Sequence, residues 1–176
     1  GLIEPKVPGK IKMEAPAGLV EIEYHKPNKK VEWVRFTNVK SYLAAENYTV
    51  HSSFLGELTF DVAYGGNFYA IVDAQENFSG IQDYSASDLI NFSQEIRKAI
   101  NEKYPKHFIH PENSKINHVS HILWTGTPLD ENSSGRNAVF YGDKAIDRSP
   151  CGTGTSARMA QLHAKGALKK GEPYVH

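Results

Sequence analysis

The single cysteine of this chain, Cys151, lies in a segment whose residue types could perform acid–base chemistry: residues 147–157 read DRSPCGTGTSA. Pro150 restricts the residue before it to extended conformations, so the chain reaches Cys151 through a turn. Two glycines and several small residues follow, as at the start of a helix. The first N–H groups of a helix lack intrahelical partners, and the helix dipole places partial positive charge beside them. The segment therefore predicts an anion site next to Cys151.

A substrate carboxylate is the anion that we expect at this helix start. A phosphate fits less well, because the glycines are not followed by the Gly-Lys-Ser/Thr of a P-loop. Positive charge at a helix N-terminus also stabilises a thiolate and can lower a cysteine pKa from about 8.5 toward ~3.5–7.5. A thiolate beside a bound carboxylate is suited to removing a proton from the adjacent carbon, because the carboxylate takes up the developing charge.

Two roles in this segment stay open at the level of residue types. Cys151 could transfer protons or act as a nucleophile, since none of the eight histidines has a spacing that pairs it with the thiol. Asp147, four residues before the cysteine, could hold a substrate amine or ammonium group, or it could form the turn that precedes the helix.

Length and composition indicate one globular domain with a hydrophobic core: the chain has 176 residues, 40% of them hydrophobic and 23% charged. Lys plus Arg and Asp plus Glu both number 20, which argues against a nucleic-acid partner. No apolar run approaches the roughly 18 residues that cross a bilayer, so no membrane partner is expected. A single cysteine excludes an intrachain disulfide and a cysteine-based zinc cluster.

The first two-thirds of the chain has the pattern of β-structure. Short apolar stretches recur between turn signals, and several of them alternate with polar residues, which predicts strands at 18–24, 31–36, 58–64 and 68–72. Pro27-Asn28 is typical of a hairpin loop between the first two strands. Gly65-Gly66-Asn67 separates the last two and predicts a bulge or a close backbone approach. No internal domain boundary is visible.

Two helices are predicted. Ser85 and Asp88 have the spacing of a capping box, and the apolar spacing that follows predicts a helix to about Lys103. The second helix is predicted at 155–168. Alanines recur there every three or four residues, which fits either a central helix approached closely by a sheet or an ordinary surface helix. They are Ala157, Ala160, Ala164 and Ala167. Loops are predicted at 105–118 and 126–136.

Residues 147–159, DRSPCGTGTSARM, resemble the second active-site motif of the proline racemase and 4-hydroxyproline epimerase family. Three further segments are similar to strands of that family: residues 13–20, residues 61–72 with the Gly-Gly-Asn sequence, and residues 136–142, which lead into the cysteine loop. The resemblance covers essentially the whole chain.

The resemblance implies an α+β fold: a mixed, barrel-like sheet around a central helix, similar to diaminopimelate epimerase and forming one domain of a pseudo-symmetric pair. Each domain would contribute one cysteine, on opposite faces of the substrate's α-carbon. One thiolate removes the α-proton and the opposing thiol returns a proton, without pyridoxal phosphate, metal or other cofactor. Carried onto this chain, Cys151 is one acid/base and Asp147 pairs with the ring nitrogen. Gly152 and Thr153 donate backbone amides to the carboxylate.

One family motif, Met-Cys-Gly-His followed by small residues, is absent from the chain. We therefore expect residues 1–176 to be a single catalytic half-domain that carries the second active-site cysteine, and an internal fragment of a protein about twice as long. Its first partner is then the missing domain of the same polypeptide; a homodimer stays open. A naturally shortened single-domain protein is the alternative, although it would leave an unpaired sheet edge. The chain opens at Gly1 and shows no signal peptide, and we expect a cytoplasmic location.

Two positions bear on the substrate, which the resemblance implies is a small imino acid. Proline racemases usually have Phe where this chain has Tyr141, and hydroxyproline epimerases resemble this chain at His121. Polar groups there would hydrogen-bond a ring hydroxyl and would be left unpaired by proline. The alternative is that Tyr141 is simply a ring of phenylalanine size and His121 an ordinary strand residue.

The leading interpretation is a 4-hydroxyproline 2-epimerase, and a proline racemase is the alternative. The family's 3-hydroxyproline dehydratases typically have Thr in place of the second cysteine, so Cys151 argues against that activity. From another class, the chain could be an inactive binding or antigenic fragment.

Overall fold

The structure is a computed structural model that describes residues 5–148 and 151–176. The chain divides into two compact units, with the boundary between Lys40 and Ser41. No shift in composition marks this boundary in the sequence. The predicted turn at Ser149 and Pro150 lies outside the described residues.

The first unit contains a three-stranded antiparallel sheet. Its strands are β1 (Lys10–Ala15), β2 (Gly18–His25) and β3 (Trp33–Thr37). The predicted hairpin loop at Pro27-Asn28 is confirmed, since β2 and β3 pair on either side of it. β3 begins two residues later than the alternation predicts, at Trp33.

The second unit is built on a six-stranded mixed sheet in the order β4-β5-β6-β7-β8-β9. The strands are β4 (Tyr42–Ser52), β5 (Gly56–Tyr64), β6 (Phe68–Val72), β7 (Val119–Gly126), β8 (Arg136–Tyr141) and β9 (Ala145–Ile146). β6 and β7 run parallel, and the other neighbouring pairs are antiparallel. The connection between β6 and β7 contains a short 3-10 turn (Ile81–Asp83) and the helix α1 (Ala86–Lys103). The helix α2 (Gly152–Ala164) follows β9.

Helix α1 covers one face of this sheet. Its predicted capping box is confirmed: the Ser85 hydroxyl accepts from the Asp88 amide at 3.1 Å, and the Asp88 carboxylate accepts from the Ser85 amide at 3.0 Å. The predicted apolar positions of the helix are buried, and Trp124 of β7 donates to the Ser93 hydroxyl at 2.7 Å. The Arg97 guanidinium lies 4.8 Å from the centre of the Phe140 ring.

Helix α2 lies against the opposite face. It contacts β4, β5 and β6, and Ala157 is fully buried among residues that alternate with those facing α1. Leu123 and Val139 face α2, while their neighbours Trp124 and Phe140 face α1. Because both faces of the sheet are covered, every residue of β6 is buried. The predicted α+β fold, with a mixed sheet packed around a helix, is confirmed.

The alanine stripe does not form the packing surface of α2. Only Ala157 is fully buried; Ala160 is half-buried, Ala164 is exposed, and Ala167 is exposed beyond the helix end. The helix also begins at Gly152, three residues before the predicted start, so the close approach to the sheet falls in its first turns.

A buried polar network holds the second half of α2 instead. Gln161, which is fully buried, donates to Asp61 of β5 at 2.6 Å and to Asp73 at 3.0 Å. Arg158 forms an ion pair with Asp73 at 2.7 Å, and Lys165 forms one with Asp61. Together with the hydrogen bond from the Asn47 amide, the interactions with Lys165 and Gln161 outweigh burial and lower the pKa of Asp61. This network fixes the rotation of α2 relative to β5 and β6.

Gly65, between β5 and β6, touches the backbone of α2. A Cβ atom at this position would lie 2.6 Å from the Ala157 amide nitrogen and would also overlap the Thr153 carbonyl oxygen. Backbone atoms cannot move aside as the end of a side chain can. The close backbone approach predicted from the Gly-Gly-Asn sequence is therefore confirmed, and its partner is the first half of α2.

We predict that Gly65→Ala destabilises the protein by about 1–3 kcal/mol, because the added methyl group forces α2 away from the sheet. Denaturant unfolding measures the loss, and the alkylation rate of Cys151 reports the displacement of the helix start. Gly166→Ala is the control. Its backbone φ of 75° also disfavours alanine, but no atom lies within 4 Å of its added methyl group. The expectation fails if Gly65→Ala leaves both measurements unchanged, or if Gly166→Ala alters the alkylation rate as strongly.

Candidate active site

Cys151 is the N-cap residue of α2, so the helix begins directly after the thiol, as the glycines of the segment indicate, and three residues before the predicted bound at 155. Its backbone has φ 62° and ψ 98°, in a region that residues other than glycine rarely occupy. Its carbonyl oxygen accepts from the Thr155 amide at 2.7 Å, which closes the first turn of the helix. The side chain is only 7% exposed and packs among Ala63, Ile71 and Val139.

Hydrogen-bonding groups of β6 and of the first turn of α2 lie around the thiol. The Tyr69 hydroxyl of β6 lies 3.6 Å from the Cys151 sulfur, and the Thr153 hydroxyl lies 3.9 Å from it. The Gly154 amide also hydrogen-bonds the sulfur. Tyr69 and Thr153 are bonded to each other at 2.6 Å. The sulfur therefore lies beside two linked hydroxyl groups and an amide of the first helical turn.

Burial nevertheless raises the pKa of the Cys151 thiol above its ordinary value. Tyr69, Gly154 and Thr153 act in the opposite direction, whereas the contact with the Asp147 carboxylate adds to the increase. The lowered pKa expected from the helix N-terminus is therefore wrong for this structure. Loss of hydration disfavours the thiolate more strongly than the surrounding donors favour it.

Asp147 lies beside the thiol, immediately after β9. Its amide donates to the Val139 carbonyl oxygen at 2.9 Å, which fixes the segment to β8. Its carboxylate contacts Cys151 and also acts electrostatically on His121. The structure therefore brings Asp147, Cys151 and His121 into one neighbourhood, although β7 and α2 lie far apart in sequence.

His121 on β7 and Tyr141 on β8 are stacked, with their ring centres 6.5 Å apart. The His121 ring centre is also 4.8 Å from that of Tyr69, so a row of aromatic rings runs from Tyr141 to the thiol. Burial, with the positive charge of Arg97, lowers the pKa of His121 to about 4 despite the opposing effect of Asp147. The imidazole is neutral near pH 7, and its Nδ1 is bonded to the Ser120 hydroxyl at 2.7 Å.

The remaining predicted residues belong to the first turn of α2. Gly152 is exposed and Thr153 is half-buried, so the start of the helix reaches the surface of the unit. Their amides fall among the N–H groups that lack an intrahelical partner at a helix start. The six residues predicted for the site are therefore Cys151 and five residues that lie near it or in the row of aromatic rings beside it.

Tyr69 was not among the residues predicted for this site, although its strand was. It is fully buried, and the Asn67 side chain also bonds its hydroxyl. The signal in the sequence was its place in an uninterrupted apolar strand: a tyrosine there is buried, and a buried hydroxyl needs a partner; in the structure Tyr69 and Ile71 point to the same face of β6. That partner was not visible because Cys151 is 82 residues away in sequence.

Within residues 5–148 and 151–176, no group of three or more His, Cys, Asp or Glu side chains is placed to hold a metal ion. The helices in the described part of the chain include none with the length and apolar character needed to cross a membrane.

Comparison with known proteins places these features in a family. The sequence model of the proline racemase family, described as "Proline racemase", matches residues 1–176. A 4-hydroxyproline 2-epimerase of Spirosoma linguale is 62% identical over 175 residues, which are 99% of this chain and 52% of that protein. A 4-hydroxyproline epimerase of Brucella ovis is 58% identical over the whole chain and 52% of its own length. The chain thus spans about half the length of these relatives.

A solved structure agrees with the sequence comparison. The hydroxyproline epimerase of Agrobacterium vitis, determined with bound trans-4-hydroxy-L-proline, superposes with a TM-score of 0.83 at 28% identity. The match covers 98% of this chain and 50% of that structure. With a family match over its full length and a shared fold, the chain belongs to the proline racemase family.

Proposed function

We propose that this chain is one catalytic half of a cofactor-independent 4-hydroxyproline 2-epimerase, in which Cys151 exchanges a proton with the substrate's α-carbon. The observation that carries the proposal is a buried thiol at the N-cap of α2, beside a first helical turn that reaches the surface. The names of the relatives from Spirosoma linguale and Brucella ovis, and the hydroxyproline bound to the Agrobacterium vitis enzyme, support this substrate.

The first turn of α2 binds the substrate carboxylate in this proposal. Amides of Gly152 and Thr153 donate to its oxygens, and the helix dipole favours its negative charge. When the α-proton leaves, the electron pair of the C–H bond delocalises into the carboxylate. Hydrogen bonds that strengthen as this charge develops stabilise the transition state more than the bound substrate.

The raised pKa of Cys151 favours the protonated thiol before the reaction, which supports a role as the acid in one direction. A protonated Cys151 thiol gives its proton to one face of the α-carbon, while a thiolate from the missing half removes the α-proton from the other face. The carbanion's electron pair forms the new C–H bond, and Cys151 is left as a thiolate. In the reverse direction Cys151 is the base, so each turnover inverts the α-carbon and exchanges the protonation states of the two thiols.

Asp147 couples substrate binding to the state of the thiol. Its carboxylate pairs with the positively charged ring nitrogen of the substrate. Before binding, the same carboxylate is one of the causes that raise the pKa of Cys151. An ammonium group placed beside Asp147 cancels part of that effect, so the Cys151 thiolate becomes easier to form once the substrate is bound.

His121 and Tyr141 form the wall that recognises the ring hydroxyl. Because Nδ1 of the neutral imidazole is bonded to Ser120, we assign Nε2 to the substrate hydroxyl. Tyr141 is 43% exposed and stacks on His121, so its ring lines the same surface. Proline would leave these polar groups unpaired, which penalises its binding.

We predict that Cys151→Ala, in the protein that contains both halves, lowers the epimerisation rate by about 10²–10⁴-fold, the usual contribution of an acid/base group, or more. Chiral chromatography of trans-4-hydroxy-L-proline reactions measures the rate, and circular dichroism checks the fold. Met159→Leu, a change of similar volume on the same helix, should retain activity. Substantial turnover by Cys151→Ala would show that the thiol is structural.

We also predict that residues 1–176 alone do not epimerise hydroxyproline, because a thiol is then present on only one face of the α-carbon. The purified chain is compared with the whole protein on the same substrate, after mass spectrometry has excluded traces of the latter. Activity of the isolated chain would contradict the two-thiol mechanism. If the whole protein is inactive as well, the chain belongs to an inactive binding protein instead.

The ring-hydroxyl assignment predicts that the whole enzyme prefers trans-4-hydroxy-L-proline to L-proline by at least tenfold in kcat/KM, about 1.4 kcal/mol. His121→Leu should reduce kcat/KM for hydroxyproline more than for proline, and Tyr141→Phe tests the second polar group. The exposed His118 offers a matched control, since His118→Leu should leave the ratio unchanged.

Two results would change the assignment of the substrate or of the residues that recognise its ring hydroxyl. Equal efficiency on both substrates in the unmodified enzyme would identify a proline racemase, the activity named for a probable proline racemase of Agrobacterium radiobacter that superposes with a TM-score of 0.82 at 30% identity. A hydroxyproline preference that survives both His121→Leu and Tyr141→Phe would place the specificity in the missing half.

A further inference from the structure

The Tyr69 hydroxyl lies where strand β6 meets the start of α2. It is 2.6 Å from the Thr153 hydroxyl and 3.6 Å from the Cys151 sulfur, and the Asn67 side chain is its third neighbour. Tyr69 is fully buried, and its ring centre lies 4.8 Å from that of His121 on the neighbouring strand. The hydroxyl is therefore fixed in place beside the sulfur.

The Tyr69 hydroxyl has one proton and two possible acceptors for it. The Asn67 side chain also bonds the phenol oxygen, and its amide group can donate to that oxygen. The Tyr69 proton is then directed either to the Thr153 oxygen or to the Cys151 sulfur. A threonine hydroxyl can donate or accept, so Thr153 tolerates both arrangements.

We propose that Tyr69 is a positioning residue whose hydroxyl donates to Thr153 while Cys151 is a thiol and turns its proton to the sulfur when Cys151 becomes a thiolate. This inference rests on the proposed acid/base role of Cys151 and adds to it the group that stabilises the charged form. No heavy atom needs to move far, because the two acceptors already lie on the same side of the phenol.

The Thr153 hydroxyl and the Gly154 amide also hydrogen-bond the sulfur, but the other described groups around it cannot take this role. The neighbours from the remaining strands are apolar: Leu43 of β4, Ala63 of β5, Leu123 of β7 and Val139 of β8. Asp147 faces the sulfur with a negative charge and opposes the thiolate, and the neutral His121 contacts the Tyr69 ring. Among the described residues that face the sulfur, Tyr69 is thus the titratable donor.

Tyr69 also remains a donor over the whole working range. Burial, together with the negative charge of a Cys151 thiolate, raises the pKa of Tyr69 well above its ordinary value. The phenol therefore keeps its proton when the thiolate forms beside it. A hydrogen bond to an anion in a buried site is stronger than one to a neutral group, so its stabilising effect is concentrated on the thiolate.

The test is Tyr69→Phe in the whole protein, with alkylation of Cys151 by iodoacetamide followed against pH and resolved by peptide mass spectrometry. Loss of the donor should move the alkylation profile of Cys151 upward by about one pH unit or more. The kcat for the direction in which Cys151 is the base should fall at least tenfold, with KM changed less than threefold. Tyr64→Phe removes an equally buried hydroxyl from β5 and should leave the profile unchanged.

A double-mutant cycle with Thr153 provides an independent measurement. Thr153→Val removes both the competing acceptor and the direct contact of Thr153 with the sulfur, so its effect on the profile should differ between the Tyr69 and the Tyr69→Phe backgrounds. Thr153→Ser keeps the hydroxyl and should restore the original profile. An unchanged profile in Tyr69→Phe, or an equal effect of Thr153→Val in both backgrounds, would overturn the proposal.

The alkylation readout does not require turnover. If the whole protein fails to epimerise hydroxyproline but Tyr69→Phe still moves the Cys151 profile, the proposed function fails and the Tyr69 interaction stands. If epimerisation is observed and the profile does not move, the function stands and Tyr69 has no positioning role.

Discussion

The direct contact between the Gly65 backbone and the first half of α2 is the constraint on which the site depends. Because no side chain separates the sheet from the helix there, the helix start is held at a fixed height above β5 and β6. That height decides how far the Cys151 sulfur lies from the Tyr69 hydroxyl. The network around Gln161 fixes the rotation of the same helix at its other half. Position and orientation of the thiol are thus set by separate interactions.

A buried thiol at a helix start combines two opposing effects on its charge. Removal from water favours the neutral thiol, and nearby donors favour the thiolate; in this chain the first effect is larger. A reaction that alternates the thiol between both forms benefits from this balance, because neither form is so stable that it halts turnover. In the proposed mechanism the two neighbouring groups act at different steps. Asp147 responds to the binding of a cationic substrate, and Tyr69 responds to the charge on the sulfur.

Patterns local in sequence predicted much of this architecture. Short apolar stretches between turn signals located the cores of β2, β5 and β6, the capping box located α1, and the cysteine motif indicated the start of α2. What local patterns missed depends on contacts between distant segments. The direction of the Cys151 pKa follows from burial among residues of five strands, and the partner of Tyr69 lies on another element. The alanine repeat has helical spacing, yet only Ala157 of the four alanines is fully buried, and the helix ends before Ala167.

The left-handed backbone of Cys151 lowers the stability of the fold, although the proposed reaction requires a cysteine at this position. A φ of 62° costs a side-chain-bearing residue of order 1–3 kcal/mol, and glycine would adopt it with little penalty. Selection for thermal stability alone would therefore favour glycine at the position where the proposed reaction requires sulfur. Contacts of the neighbouring residues must then supply the missing stability. On the proposed role of Cys151, screens for more heat-resistant forms of this protein will enrich inactive variants at residue 151 unless activity is selected at the same time.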